Sequence, residues 1–139
     1  MLAMKHFVSA AVTLALASAI LGCGGPARLT RYEISGAVTY DGKPVPSGQL
    51  RFTPDSEKGN RGPATSIMFA DGRYRSVDGY GVLGGPYTVE ITGFEGLTPE
   101  QAQAMVTPKP LFKPYTTSVD LEKKAGVQDF DVPNDVTKK

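Results

Sequence analysis

Histidine and cysteine are the usual residues of nucleophile–base pairs and of zinc sites, and each occurs once in this 139-residue chain. His6 and Cys23 both lie near the N-terminus, and residues 1–22 have the composition of a targeting segment. Without that segment the chain has no histidine, which excludes Ser–His and Cys–His nucleophile pairs and histidine-rich zinc or iron sites. We therefore expect no catalytic residue, no metal site and no cofactor, and predict that the protein is not an enzyme.

Carboxylates are the remaining groups that could do chemistry. Asp129 and Asp131 share a predicted strand face, while Asp71 and Asp78 lie beside glycines. Calcium takes about six to eight oxygen ligands, and no segment concentrates that many, so turn formation and solvated strand edges are the simpler roles. A glycosidase-type acid/base pair is a further alternative. Asp41 and Asp71 are predicted turn formers because a glycine follows each.

Three aromatic residues lie in or beside predicted loops: Phe94, Phe112 and Tyr115. Such residues can stack on sugar rings or anchor a partner. They can equally cap the open end of a β-fold. Five further aromatics fall on strand positions that predict core: Tyr40, Phe52, Phe69, Tyr74 and Tyr87.

The N-terminal segment has a polar start at Lys5 and His6, then an apolar run at 7–21 that is shorter than the roughly 20 residues of a membrane span. The sequence Ile20-Leu21-Gly22-Cys23 resembles the lipobox of bacterial lipoproteins. That resemblance implies cleavage before Cys23, which would carry a thioether-linked diacylglycerol and an N-acyl chain. An ordinary secretory signal or an uncleaved anchor is the alternative.

The charge balance argues against a nucleic-acid partner. Removing the first 22 of 139 residues leaves 117 and removes Lys5, which makes 14 basic residues against 14 acidic ones. No lysine and arginine cluster stands out, whereas nucleic-acid binding requires a basic footprint.

The stretch 34–52 predicts a strand, a tight turn at Asp41-Gly42, a loop stiffened by Pro44 and Pro46, and a second strand. Its apolar residues alternate with period two, as in a strand with one buried face. Asp-Gly tolerates the left-handed backbone of a hairpin turn. Proline lacks the amide donor that a central ladder requires.

Similar alternation predicts further strands at Thr65–Ala70, 73–77, 87–92, 118–122 and 127–132. Thr98 predicts a helix N-cap, with Pro99 at the first helical position. About seven short strands, with turns near every dozen residues, predict an all-β antiparallel sandwich. The predicted divisions are a lipoprotein signal peptide at 1–22, a lipidated N-terminus and tether at 23–31, a β-domain at 32–133 and a polar tail at 134–139.

Four segments resemble the carboxypeptidase regulatory-like domains, above all the small lipoprotein version numerous in planctomycete bacteria: 34–54, 70–74, 85–93 and Phe130–Val132. The resemblance implies a seven-stranded sandwich of the transthyretin-like, Ig-like type with Greek-key connections. Larger proteins of that group use the module as an accessory to a peptidase or transporter. A binding or scaffolding role is therefore expected.

We expect a monomeric, lipid-anchored cell-envelope protein, attached to a membrane through Cys23 and facing the periplasm or the exterior, with an unknown protein or glycan partner. By the lipoprotein resemblance, Gly24 in place of an aspartate favours the outer membrane over the inner one. The alternative is a carbohydrate-binding module that uses Phe94, Phe112 and Tyr115. A further route is pairing of an exposed edge strand with a partner chain, although the sequence does not identify the open edge.

Overall fold

The computed structural model describes residues 28–137. The predicted signal peptide at 1–22 and the lipidation site Cys23 lie outside these residues, as do residues 138–139 of the predicted tail. Within the described range, a 3₁₀ turn occupies the rest of the tail at Asn134–Thr137. No helix of the described residues is long and apolar enough to cross a membrane.

Strands are the main regular structure of the described chain, and helix is nearly absent from it, which confirms the all-β prediction. Its strands are β1 (Ile34–Tyr40), β2 (Lys43–Pro44), β3 (Ser47–Pro54), β4 (Thr65–Ala70), β5 (Arg73–Arg75), β6 (Gly85–Phe94), β7 (Tyr115–Leu121), β8 (Gly126–Val127) and β9 (Phe130–Val132). Pairing connects them into one curled sheet in the order β2-β1-β5-β4-β3-β6-β7, with β8 and β9 also beside β1. Two separately stacked sheets, as in a sandwich, stay a prediction.

The two predicted Asp-Gly turns and the predicted helix N-cap are confirmed. Asp41 and Asp71 adopt left-handed backbone, with φ of 51° and 52°, at the two predicted turns. The helix α1 (Pro99–Gln103) begins after Thr98, whose hydroxyl accepts a hydrogen bond from the Gln101 amide at 3.3 Å. The side chain of Gln101 in turn accepts from the Thr98 amide at 2.9 Å, which completes a capping box.

Strand β1 is the centre of the sheet because it pairs with four other strands. Its first half is antiparallel to β5 and its second half to β2. Its other side pairs in parallel with β8 and then β9, a parallel arrangement that the antiparallel prediction did not include. The predicted single strand at 127–132 is in fact interrupted at Gln128 and Asp129. The predicted strand at 118–122 begins earlier, at Tyr115.

One apolar core lies inside the curled sheet. Its buried members come from nearly all the strands and from the segments between them: Ile34, Val38, Val45, Leu50, Phe52, Ile67, Phe69, Tyr74, Val82, Tyr87, Val89, Ile91, Phe112, Phe130 and Val132. Phe52 lies at its centre, with ring centroids 6.3 Å from Tyr74, 6.2 Å from Tyr87 and 6.0 Å from Phe130. The contacts with Tyr87 and Phe130 are edge-to-face, an arrangement that stabilises a core beyond the area that it buries.

The chain enters this fold at one end of the sheet, which we call the entry pole and define by residues 28–33, 55–64, 76–84 and 122–125. Tyr32 forms a β-bridge with Val82 there. The guanidinium of Arg31 donates to the Thr65 hydroxyl at 3.1 Å and to the Gly81 carbonyl at 2.9 Å. The opposite end, the far pole, holds the turns at 41–42 and 71–72 and the irregular segment 95–114.

Candidate functional site

The predicted carboxylates serve as connections between strands. Asp129 Oδ1 accepts a hydrogen bond from the Ala37 amide at 2.7 Å, and Asp131 Oδ1 accepts from the Thr39 hydroxyl at 2.6 Å. Asp129 directly precedes β9 and Asp131 lies within it, while Ala37 and Thr39 belong to β1. Both bonds therefore connect the β8–β9 edge to β1. Among residues 28–137, no group of three or more histidine, cysteine, aspartate or glutamate residues could hold a metal ion.

The sequence allowed two roles for Phe112, contact with a ligand or packing at the end of the fold. In the structure its ring packs in the core. Its side chain is 5% exposed, and its ring centroid lies 5.0 Å from that of Tyr40. The ring packs directly against Gly93, where a Cβ atom would lie 2.6 Å from it. Phe112 therefore closes the core near the far pole and offers no free ring face to a sugar.

The other two loop aromatics are half-buried and lie on different strands. Tyr115 opens β7 opposite Ile91 and packs against the core. Phe94 ends β6, where it pairs with Ser47 on one side and with Pro110 on the other. The ring–ring contacts found in the part of the chain that the structure describes include neither of them. The three residues thus do not form one exposed aromatic surface.

The longest unpaired edge of the described sheet is β7. It pairs with β6 on one side, and no described strand pairs with its other side. Its seven residues contain neither proline nor lysine, which commonly protect an edge from adding a foreign strand. The β8–β9 edge is different, because it consists of two short strands with a break between them.

The register shows which backbone groups of β7 face outward. The Pro86 carbonyl accepts from the Asp55 amide at 3.0 Å, on the β3 side of β6, whereas the Gly93 carbonyl accepts from Leu111 at 2.8 Å on the opposite side. Antiparallel strands alternate the direction of these groups residue by residue. The odd-numbered residues of β6 and β7 therefore bond each other, and Thr116, Ser118 and Asp120 direct their N–H and C=O groups away from the sheet.

The side chains of β7 that face the core are incompletely covered. Tyr115, Val119 and Leu121 are only half-buried although they pack against the core cluster. The equivalent positions on the neighbouring strand, such as Val89 and Ile91, are fully buried. The difference arises because β7 is the last strand of the sheet, so its inner face lacks a neighbour on one side.

A pocket of about 250 Å³ lies at the entry-pole end of β7, next to its incompletely covered inner face. We call it the seam pocket, since it lies between β7 and β8, which are not paired with each other. Its lining is Glu33, Ile34, Val82, Asp120, Leu121, Glu122, Lys124, Gly126, Val127 and Gln128. Ile34 and Val82 are buried members of the core, so the pocket has apolar walls and a charged rim.

The charged rim is predominantly acidic. Glu33, Asp120 and Glu122 contribute three carboxylates, and Lys124 is the single cation of the lining. Lys124 forms an ion pair with Glu122. Glu33 forms one with Arg75, whose Nη1 lies 3.7 Å from Glu33 Oε2. Asp120 has no ion pair within residues 28–137. A cationic group placed over this rim would meet a complementary charge.

Sequence reasoning recognised edge pairing as a possibility but did not locate it. The signal that could have found it is the alternation from Tyr115 to Leu121, a strand that contains neither proline nor lysine. The seam pocket had no such signal, because its walls come from segments far apart in the chain. No family model, no curated protein and no solved structure matches this chain.

Proposed function

We propose that this protein is a lipid-anchored cell-envelope β-domain with a non-catalytic binding or scaffolding role. The observation that carries the proposal is the way in which the chain enters the fold. Arg31 and Tyr32 attach the chain to the entry pole, and residues 23–31 span at most about 30 Å when fully extended. A lipid on Cys23 would therefore keep the entry pole close to a bilayer and direct the far pole away from it.

Exposed apolar side chains at the entry pole agree with this orientation. Leu29, Val77 and Tyr80 are among the most exposed large apolar residues of the described chain, and tyrosine is favoured at membrane interfaces. Met105 at the far pole is more exposed than any of them, so surface apolarity alone does not orient the molecule. The proposed orientation therefore depends on the point at which the chain enters the fold.

The binding role is supported by the residue types that remain in the domain. The mature chain would be formally neutral and lack histidine. Four of its segments resemble carboxypeptidase regulatory-like domains, which larger proteins use as accessory modules. The described domain also leaves a long sheet edge open. Such an edge suits association with another chain.

The anchor is tested by metabolic labelling with radioactive palmitate, followed by separation of membranes from soluble protein. Acyl chains contribute about 0.8 kcal/mol per buried CH₂, so more than one chain holds a protein stably in a bilayer. We expect the wild type to be labelled and found in membranes, and Cys23→Ser to be unlabelled and lost from them. Gly24→Ser is the matched control, because it changes the next residue and retains the thiol.

Absence of label on the wild type, or a Cys23→Ser protein found wholly in membranes, would overturn the anchor. Separation of the two membranes on a density gradient then addresses location. The lipoprotein resemblance favours the outer membrane, since Gly24 stands where an aspartate would favour retention in the inner one.

A further inference from the structure

We infer that β7 and the seam pocket bind an extended segment of a partner protein by strand addition, with a lysine or arginine of that segment opposite Asp120. This inference specifies the binding role proposed above. It does not depend on the lipid anchor, since every group involved lies within the described domain. Its three requirements are backbone pairing, apolar side chains toward the core and one basic side chain.

Backbone pairing follows from the outward groups of β7. Thr116, Ser118 and Asp120 present N–H and C=O groups at the spacing of an antiparallel ladder. Only an extended chain satisfies such a row of alternating donors and acceptors. A globular surface or a sugar does not repeat donors and acceptors at that interval.

The side-chain pattern follows from the register. In an antiparallel complex, alternate residues of the incoming strand would lie opposite Tyr115, Thr117, Val119 and Leu121 and face the core. Apolar side chains there would cover the half-buried inner face of β7. The first of them, opposite Leu121, would lie at the seam pocket, whose volume of about 250 Å³ accommodates an aliphatic side chain.

The charge requirement follows from the rim of the pocket. The second residue of the incoming strand would lie directly opposite Asp120, on the solvent face. Asp120 has no ion pair within the described residues, whereas Glu33 is paired with Arg75 and Glu122 with Lys124. Asp120 is therefore the carboxylate of the rim whose charge is not offset by a described cation. Opposite charges in directly facing positions stabilise strand pairing, and like charges destabilise it.

The probe that tests these requirements is the peptide Val-Lys-Val-Thr-Val-Thr-Val-amide, labelled with fluorescein on its N-terminal amine so that the lysine keeps its charge. It is titrated with the full chain in detergent micelles and measured by fluorescence anisotropy. We expect saturable binding. The peptide with glutamate in place of lysine should bind at least about threefold more weakly, because it places like charges opposite each other. Absence of saturable binding of the lysine peptide would overturn the inference.

The backbone requirement has a matched pair of variants at one position. Ser118→Pro removes an outward N–H that makes no bond to β6, and proline is tolerated on an edge strand. Ser118→Ala removes the hydroxyl but retains the N–H. We expect the proline variant to bind the lysine peptide about tenfold more weakly or worse, and the alanine variant within about twofold of wild type. Circular dichroism verifies that both variants are folded.

The charge requirement is tested by exchange. Asp120→Lys should reverse the preference, so that the glutamate peptide binds more tightly than the lysine peptide. Equal effects of Asp120→Lys on both peptides would contradict the predicted register, as would unchanged binding by Ser118→Pro. None of these readouts depends on acylation, so failure here is distinct from failure of the anchor.

A second copy of this chain is the competing occupant of the edge. Sedimentation equilibrium of the full chain distinguishes the two, because self-association through β7 would give a dimer that Ser118→Pro dissociates. That result would overturn the assignment to a partner peptide. A monomer that binds the lysine peptide with the expected charge preference would support it.

Discussion

Replacing Gly36 of β1 by alanine should destabilise the fold far more than the same change at Gly126 of the paired strand β8. A Cβ atom at Gly36 would lie 2.0 Å from the Gln128 carbonyl oxygen and 2.7 Å from its carbon. Both atoms belong to backbone, so no side-chain rotation relieves the clash, and the strands must separate by about 1 Å in a close-packed region.

Two hydrogen bonds flank this contact and would weaken as the strands separate. The Gln128 amide donates to the Ser35 carbonyl at 2.8 Å, and the Ala37 amide donates to Asp129 Oδ1 at 2.7 Å. Overpacking costs about 1–3 kcal/mol, and the loss of one such bond about 1 kcal/mol. We therefore expect Gly36→Ala to lower the free energy of unfolding by about 2–4 kcal/mol.

Gly126→Ala is the control on the paired strand. Nothing lies within 4 Å of a Cβ atom at Gly126, and its φ is not positive. The Gly126 amide retains its bond to the Glu33 carbonyl. Loss of glycine's freedom in the unfolded chain should stabilise this variant by up to about 1 kcal/mol.

Urea unfolding followed by circular dichroism measures both changes, since the chain has no tryptophan. At about 4–8 °C per kcal/mol for a small domain, Gly36→Ala should also lower Tm by roughly 10 °C or more. If the two variants unfold within about 0.5 kcal/mol of each other, the close approach of Gln128 to β1 is wrong.

Two further predictions concern buried rings. Tyr74→Phe removes the hydroxyl that donates to the Gln128 carbonyl at 2.6 Å, which should cost about 1–2 kcal/mol in urea unfolding at pH 8. Burial, and then the charge of Asp129, raises the pKa of Tyr74. The wild-type advantage should therefore be complete below the ordinary tyrosine pKa of about 10 and decline as pH rises above it, and a difference unchanged at pH 11 would contradict this reasoning. Phe112→Ala should destabilise the domain by about 3–5 kcal/mol, whereas Phe94→Ala should cost much less. A glycan array is therefore informative with Phe94→Ala, and glycan binding lost in that variant would favour the carbohydrate-binding alternative.

Features that depend on neighbouring residues were accessible from the sequence. Asp41-Gly42 and Asp71-Gly72 specify their turns because each aspartate tolerates left-handed backbone and each glycine adopts it freely. Thr98 and Gln101 specify the start of α1 by bonding each other's amides. The alternation in Thr65–Ala70 likewise gives the observed strand with the expected buried face.

Features that depend on residues far apart in the chain could not be predicted from the sequence. The break between β8 and β9 arises where the Gln128 carbonyl approaches Gly36, about ninety residues earlier in the chain. Phe112 reads as a loop aromatic, yet the space beneath Gly93 makes it a core residue. Neither contact leaves a local pattern in the sequence.

The sequence by itself determined an all-β chain with its turns, its helix cap and most of its core, because those properties follow from composition and short-range periodicity. Only the tertiary structure decided that β7 is the longest edge left unpaired by the described strands and that a pocket lies between it and β8. The physical reason is that a strand's own residues specify which face it buries, whereas the strands available to pair with it are specified by the packing of the whole sheet.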